Sequence, residues 1–210
     1  MPTNNAAVKT FQELEKLNIR TAGDYFEEFF KFSAAATADL MSIDRAVESV
    51  VAHLLENNKA GKKVMAIGNG GSAAIAIHAL VDYAHAGGLK TADFNSPAML
   101  TCMANDYGYE NVFAKPIKLF AEKEDTLLAI SSSGKSPNII KACEAALGNG
   151  CYIVTFSGFG ADNPLRRAGH INFYVPSMHY GFVELAHQML VHCILDLFIK
   201  AKITVRQGRF

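Results

Sequence analysis

The sequence lacks the marks of several specialised classes. It has no excess of charge of either sign: 20 Lys and Arg face 20 Asp and Glu, the net charge is zero and the pI is about 7.0. That balance excludes the global electrostatic footprint of a nucleic-acid coat protein, although it leaves room for a local basic patch. A net charge of zero also favours association over colloidal repulsion. There is no Trp, and the Cys residues are few: Cys102, Cys143, Cys151 and Cys193 form no CxxC pair. Neither a zinc knuckle nor a disulfide framework is indicated, and the four read as buried thiols in a reducing cytosol. The N-terminal MPTNNAAVKTFQEL has no basic start leading into an apolar run, so no secretory signal is expected. Long hydrophobic runs are missing too. The most apolar late stretch, Leu185 to Ile199, carries His187, Gln188, His192 and Asp196 and is too short to span a bilayer. A soluble cytoplasmic protein, with no membrane or nucleic-acid partner, is expected. No internal repeat or low-complexity segment is visible.

What is present is enough apolar material for a core. The chain has 210 residues, half of them apolar and 19% charged, which suits one α/β domain. Residues 1–22 are polar and weakly patterned, an arm or a docking helix. From Ala22 to about Asn58 there is no Pro, and Phe26, Phe29, Phe30, Phe32, Leu40, Met41, Val47, Val50, Val51, Leu54 and Leu55 recur at helical spacing, predicting one or two long helices. The Phe cluster suits either a core or a helix–helix subunit interface.

The pattern then changes. Short apolar runs at 63–68, 97–102, 126–131, 152–157 and 171–176 read as buried strands. Helical windows lie between them, at Ser72 to about Ala86, about Glu110 to Glu122, Ser136 to Leu147 and near Asn163 to Ala168. A long helix, about Tyr180 to Ala201, closes the chain. Alternation at this spacing indicates parallel βαβ units. Runs apolar on both faces fit a sheet covered on both sides. The expected fold is a doubly wound three-layer αβα sandwich on a five-stranded parallel sheet, with its ligand at the carboxyl ends of the strands.

Two strands end in similar loops. Gly68-Asn69-Gly70-Gly71-Ser72 follows the first, and Ser131-Ser132-Ser133-Gly134-Lys135-Ser136 follows the third. Each leads into a helix, so backbone amides, hydroxyls and a positive helix end face the space above the sheet, an anion site by physics alone. Neither loop has the P-loop or the dinucleotide pattern, which points to a phosphate monoester. The plain alternative for the second loop is a flexible turn with Ser136 as an N-cap. Ala104-Asn105-Asp106-Tyr107-Gly108 also falls after an expected strand, and either adds polar contacts to the same crevice or forms a capped turn.

Polar residues interrupt two apolar helices. His78 and Asp82 are i,i+4 neighbours among Ile75, Ala76, Ile77, Leu80 and Val81. Such a pair can hold a metal, act in proton transfer, or simply satisfy itself. Glu184, His187, Gln188 and His192 interrupt the last helix. Glu184 and His192 stand two turns apart, about 12 Å along a straight axis, so one ion reaches both only if the helix starts irregularly or different subunits contribute. His85, His170 and His179 fall at element ends, where a solvated or capping role is expected, although His179 could reach the crevice. Cys102, Cys143 and Cys193 read as core.

GNGGS with the following His/acid helix, AND-Y-G-Y, ISSSGKS and the late E-x-x-H-x-x-x-x-H helix together resemble the sugar isomerase (SIS) domain, and more closely its phosphoheptose isomerase branch, over about residues 24–200. The resemblance implies a single flavodoxin-like SIS domain over 1–210, a homotetramer with sites between subunits, and a divalent metal, usually zinc. It places phosphate on Ser72, Ser131, Ser132, Ser133 and Ser136, and sugar against Asn69, Gly70, Gly71, Asn105, Asp106 and Glu184. It places metal and catalysis on His78, Asp82, Glu184 and His192, with Asp82 (or Glu184) as general base and His192 as general acid. The implied reaction is aldose–ketose isomerisation of sedoheptulose 7-phosphate. A non-catalytic SIS module of the replication-initiator-associating type and an isomerase of another sugar phosphate are the alternatives. The family usually has Glu where Asp82 stands and Gln where Glu184 stands. The shorter Asp82 shifts its carboxylate by about 1.5 Å, and Glu184 adds a charge that favours a cation.

Overall fold

The computed structural model describes residue 12, residues 15–38 and residues 41–206. Most of the polar arm read over 1–22 lies outside them. Residues 12, 15 and 16 are helical; after them come α1 (Ala22–Ala34) and α2 (Ile43–Lys59), separated by a two-residue strand β1 (Thr37–Ala38). Thr21 and Asp24 form a capping box on α1, each side chain accepting from the other residue's backbone amide. Then follow β2 (Lys63–Ile67), α3 (Gly71–His85), β3 (Lys90–Asp93), α4 (Pro97–Tyr107), α5 (Ala114–Phe120), β4 (Thr126–Ser131), α6 (Pro137–Gly148), β5 (Tyr152–Gly158), β6 (Ile171–Val175) and α7 (Tyr180–Arg206).

The sheet has six strands in the order β1-β6-β5-β4-β2-β3. It is parallel throughout except for β1, which runs antiparallel on β6. Strand alternation splits the core in two. Val64 and Ala66 of β2, with Leu128, Ile130, Val154, Phe156 and Phe173, face α2, α3 and α7. Met65, Ile67, Leu127, Ala129 and Ile153 face α5 and α6. This is the expected three-layer sandwich, with one more strand than the sequence suggested.

The extra strand is β1, within the stretch expected to be helical, and one expected strand is misplaced. The run 97–102 is not a strand: Ser96 accepts from the Met99 amide and Pro97 sits in the first turn, so the segment begins α4. The strand at that place in the order is Lys90–Asp93, a partly exposed edge whose KTAD sequence carries little apolar signal. The helix expected over 110–122 is broken into a 3-10 turn at Tyr109–Asn111 and α5. The segment near 163–168 is likewise a 3-10 turn, Pro164–Arg167. Cys143 and Cys151 are buried as expected, but Cys102 and Cys193 are exposed.

The closing helix is longer than expected. Within its stretch Tyr180–Val205 an 18-residue segment has mean hydropathy 1.5, so the helix is long and apolar enough to cross a bilayer by length and composition, yet half of that segment is buried in the protein. Phe182, Val183, Ala186, Leu190, Val191, Ile194, Leu195 and Phe198 are all 5% exposed or less, which makes it a core helix. Helix α1 leans on it through Tyr25, Phe29 and Phe32, whose rings meet Phe182. Phe26 and Phe30, by contrast, are 59% and 63% exposed.

Candidate functional site

The chain order reverses between β2 and β4. From β2 the chain steps outward to β3, then returns to the other side of β2 to lay down β4. The loops that leave these two strands therefore diverge at their carboxyl ends and leave a crevice. A cavity of about 270 Å³ lies there, lined by Asn69, Gly70, Gly71, Ser72, Ser131, Ser132, Ser133, Ser136, Tyr180 and Glu184. The structure thus gathers the two loops and Glu184 around one space.

The serine side of the cavity offers hydroxyls and helix-end amides, groups that attract negative charge. No side chain caps α3, whose N-cap is Gly70 at φ 56°, a left-handed conformation that suits glycine. Ser136 precedes Pro137 at the start of α6 and makes no capping bond either. Two open helix N-termini face the same cavity. Ser131 Oγ accepts from the Gly134 amide and lies 3.3 Å from Ser136 Oγ, while Ser133 Oγ accepts from the Lys135 amide. Ser132 Oγ is buried with no hydrogen-bond partner among the described residues.

Asn69 is held from two sides. Its amide donates to Asn138 Oδ1 at 3.0 Å, and its oxygen accepts from Asn138 Nδ2 at 2.8 Å and from the Tyr109 hydroxyl at 3.0 Å. Glu184 enters from α7. A Cβ on Gly71 would stand 2.5 Å from Glu184 Oε2, so the missing side chain of Gly71 is what admits the carboxylate. Burial pushes the Glu184 carboxyl above its ordinary range.

A second group forms where α3 and α7 pack together. The Tyr83 hydroxyl, buried between them, donates to the Val191 carbonyl at 3.2 Å. This bond fixes the register of the two helices one residue from Asp82 on one side and one residue from His192 on the other. His78 Nε2 lies 3.2 Å and His192 Nδ1 3.7 Å from the same oxygen, Asp82 Oδ2. Gln188 Nε2 lies 2.6 Å from His192 Nε2 and 3.4 Å from His78 Nδ1. Ligand atoms of His78, Asp82 and His192 all fall within 4.8 Å of one another. Donors about 2.0–2.1 Å from a tetrahedral ion sit about 3.3 Å apart. Two imidazoles and a carboxylate at these separations fit a divalent cation.

Glu184 is not in that group: among the described residues the cluster is His78, Asp82 and His192, and Glu184 lies on the serine cavity. Asn105 and Asp106 stand apart from both. They occupy the exposed last turn of α4, where the Asn105 amide donates to Asp106 Oδ1, and neither lines the cavity. They lie within a helix and do not follow a strand, so the expected position at a strand end does not arise.

His187 turns inward. It is fully buried, its Nε2 lies 3.1 Å from the Ser157 carbonyl, and desolvation pulls its pKa down to about 4. His179 accepts at Nδ1 from the Phe182 amide and caps α7. His170 Nδ1 accepts from the Ile153 amide, and His85 ends α3.

Sequence reasoning did not assign Tyr180, Asn138, Tyr109 or Gln188 to the site. The signals were slight: a buried Asn in the first turn of an apolar helix, and a Gln placed midway between Glu184 and His192 on one helix face.

Comparison with known proteins supplies names for this arrangement. Residues 24–158 match the SIS domain family. A phosphoheptose isomerase of Shewanella denitrificans is 38% identical over 170 residues, covering 77% of this chain and 85% of its own. The solved structure of a phosphoheptose isomerase from Francisella tularensis superposes with a TM-score of 0.75 at 26% identity, over 89% of this chain and 98% of that one. That of Neisseria gonorrhoeae gives 0.73 at 24% identity, over 84% and 95%, and speaks for the fold.

Proposed function

The chain belongs to the SIS domain family, and from that premise we propose that it is a phosphoheptose isomerase, one SIS domain over 24–200 that converts sedoheptulose 7-phosphate to D-glycero-D-manno-heptose 7-phosphate in the cytoplasm. The observation that carries the reading is the serine cavity at the switch point of the sheet, with a His–Asp–His group on the adjoining helix pair.

In this reading Ser72, Ser131, Ser132, Ser133 and Ser136 hold the phosphate through hydroxyls and helix-end amides. The unpartnered Ser132 hydroxyl supports this. Asn69, Gly70, Gly71 and Glu184 flank the sugar, with Asn69 kept rigid by Asn138 and Tyr109. Asn105 and Asp106 belong to the sugar site only if another subunit brings them to it. Asp82 takes a proton from C1, next to the C2 ketone. Both of its imidazole contacts fall on Oδ2, leaving Oδ1 for that proton. His192 donates a proton to O2 as the enediolate develops. Return of a proton to C2 and loss of one from O1 complete the aldose. His78, Asp82 and His192 would hold a divalent ion, zinc in this reading as in the family, and such an ion when bound supplies Lewis-acid stabilisation of negative charge on oxygen.

The chain also assembles with copies of itself in this reading, as a homotetramer. Ile77 and Val81 of α3 and Leu185 and Met189 of α7, on the two helices that carry the His–Asp–His group, leave large apolar side chains exposed, as do Phe26 and Phe30 of α1. A partner subunit would cover them and close the site to water.

The test is direct. Purified protein is incubated with sedoheptulose 7-phosphate, with and without zinc, and the product is assayed as an aldose. Turnover is expected, and His192→Ala should abolish it while inorganic phosphate still binds. Absence of product in the folded, assembled protein under both conditions would overturn the proposal in favour of a sugar-phosphate-binding module.

A further inference from the structure

Gln188 has no part in the mechanism above, yet it touches both imidazoles of the group. Its amide nitrogen is 2.6 Å from His192 Nε2 and 3.4 Å from His78 Nδ1. A primary amide carries two N–H donors and can serve both rings at once. A ring nitrogen that accepts has no proton of its own. Accepting from Gln188 therefore places the proton of neutral His78 on Nε2 and that of neutral His192 on Nδ1. Those are the two nitrogens that face Asp82 Oδ2, at 3.2 and 3.7 Å. The network closes on itself: one amide donates to two imidazoles, and both imidazoles direct their N–H toward one carboxylate oxygen.

We infer that Gln188 is a positioning residue that sets the tautomer and ring orientation of His78 and His192. The tautomer of a histidine is fixed by the bond its other nitrogen makes, and here one side chain makes that bond for both rings. For His192 the imposed form is the one that free histidine disfavours, since an unconstrained neutral imidazole carries its proton mainly on Nε2. The inference has a second part, which rests on the metal reading of the preceding section. Rotating the Gln188 amide by half a turn presents Oε1 where Nε2 now stands. In that rotamer it accepts from His78 Nδ1–H and His192 Nε2–H, freeing the lone pairs of His78 Nε2 and His192 Nδ1 toward an ion beside Asp82. Outer partners of this kind are worth about 10–100-fold in metal affinity.

The experiment uses full-length protein labelled with 15N-histidine and stripped of metal by a chelator, with long-range 1H–15N correlation spectra recorded at mildly alkaline pH. His78 and His192 signals are assigned by their loss in His78→Asn and His192→Asn. In the wild type, His192 should show the Nδ1–H tautomer and His78 the Nε2–H tautomer. In Gln188→Leu, His192 should revert to Nε2–H while His78 stays as it was. In Gln188→Glu, a pure acceptor, both protons should move to the Glu side, giving Nδ1–H on His78 and Nε2–H on His192. A His192 that shows Nε2–H in the wild type, or the same tautomer in all three proteins, overturns the inference. Chelator competition for zinc then tests the second part, with a loss of about 10–100-fold expected for Gln188→Leu. Unchanged affinity overturns that part. If the wild type holds no zinc at all, it is the metal reading that fails, and the tautomer spectra still decide the role of Gln188.

Discussion

Replacing Gly71 by Ala adds one methyl group at the place where Glu184 enters the serine cavity. That Cβ would lie 2.5 Å from Glu184 Oε2 and 2.6 Å from Cδ and Oε1, against an ordinary contact of 3.4 Å or more. The carboxylate must retreat by roughly 1 Å, a displacement that costs on the order of 100-fold in rate when it falls on a group that positions the reacting atoms. The fold should not suffer. The neighbour is the far end of a flexible side chain, and Gly71 is not among the positive-φ glycines, so Ala fits its backbone. Substitution of Gly by Ala at a compatible site stabilises by about 0.4–1 kcal/mol through the unfolded chain. Gly71→Ala is thus expected to lower kcat for heptose 7-phosphate isomerisation about 100-fold, keep the affinity for inorganic phosphate, and leave Tm equal or slightly raised. Steady-state kinetics, phosphate competition and a thermal melt separate these effects. A kcat within about threefold of wild type, or a fall in kcat matched by a fall in Tm, would refute the reasoning that Gly71 is there to admit a working carboxylate.

Two further expectations concern stability. Burial holds His187 neutral by pulling its pKa from 6.5 to about 4, so above pH 6.5 it adds no pH dependence. Below that the unfolded chain takes up a proton that the folded chain refuses, and stability falls by up to roughly 3 kcal/mol as the pH approaches 4. Urea unfolding at about pH 7 and about pH 5, at one protein concentration, should show wild type losing roughly 2 kcal/mol more than His187→Gln; equal losses would count against it. Asp125, fully buried, accepts from the backbone amides of Lys63 and Glu122 and pairs with Lys63 Nζ at 2.5 Å. Asp125→Ala strands that ammonium and should cost about 3–5 kcal/mol; a loss below about 1 kcal/mol in the same urea assay would show that solvent reaches the site freely.

Much of the architecture was legible because parallel strands covered on both faces leave unbroken apolar runs. The segments at β2, β4, β5 and β6 were read within a residue or so for that reason. The same rule misled at Pro97–Cys102, where a short apolar run cannot by itself tell strand from helix. The deciding signal was the Ser-Pro pair at 96 and 97, a helix start. The true strand, Lys90–Asp93, is exposed at the sheet edge and so carries no apolar run to detect. At the site, local spacing conveyed the glycine and serine loops and the His78–Asp82 pair. It could not convey that the partner of that pair on α7 is His192 and not Glu184. That depends on where α3 and α7 cross, which the Tyr83–Val191 bond sets across 108 positions of sequence. Gln188 was visible as a polar interruption, but a role shared by two rings on different helices appears only once the helices are packed.

The reciprocal amide pair between Asn69 and Asn138 has a bearing on binding cost. It stitches the loop after β2 to the first turn after β4, and the Tyr109 hydroxyl ties the same oxygen to the segment after α4. Three stretches of chain that would otherwise fluctuate separately are thereby coupled into a single rigid rim. An anion entering the cavity does not have to order them, so little of its interaction energy is spent on loop entropy. The rim in turn cannot open one lip at a time: loosening Asn69 disturbs the serine side as well.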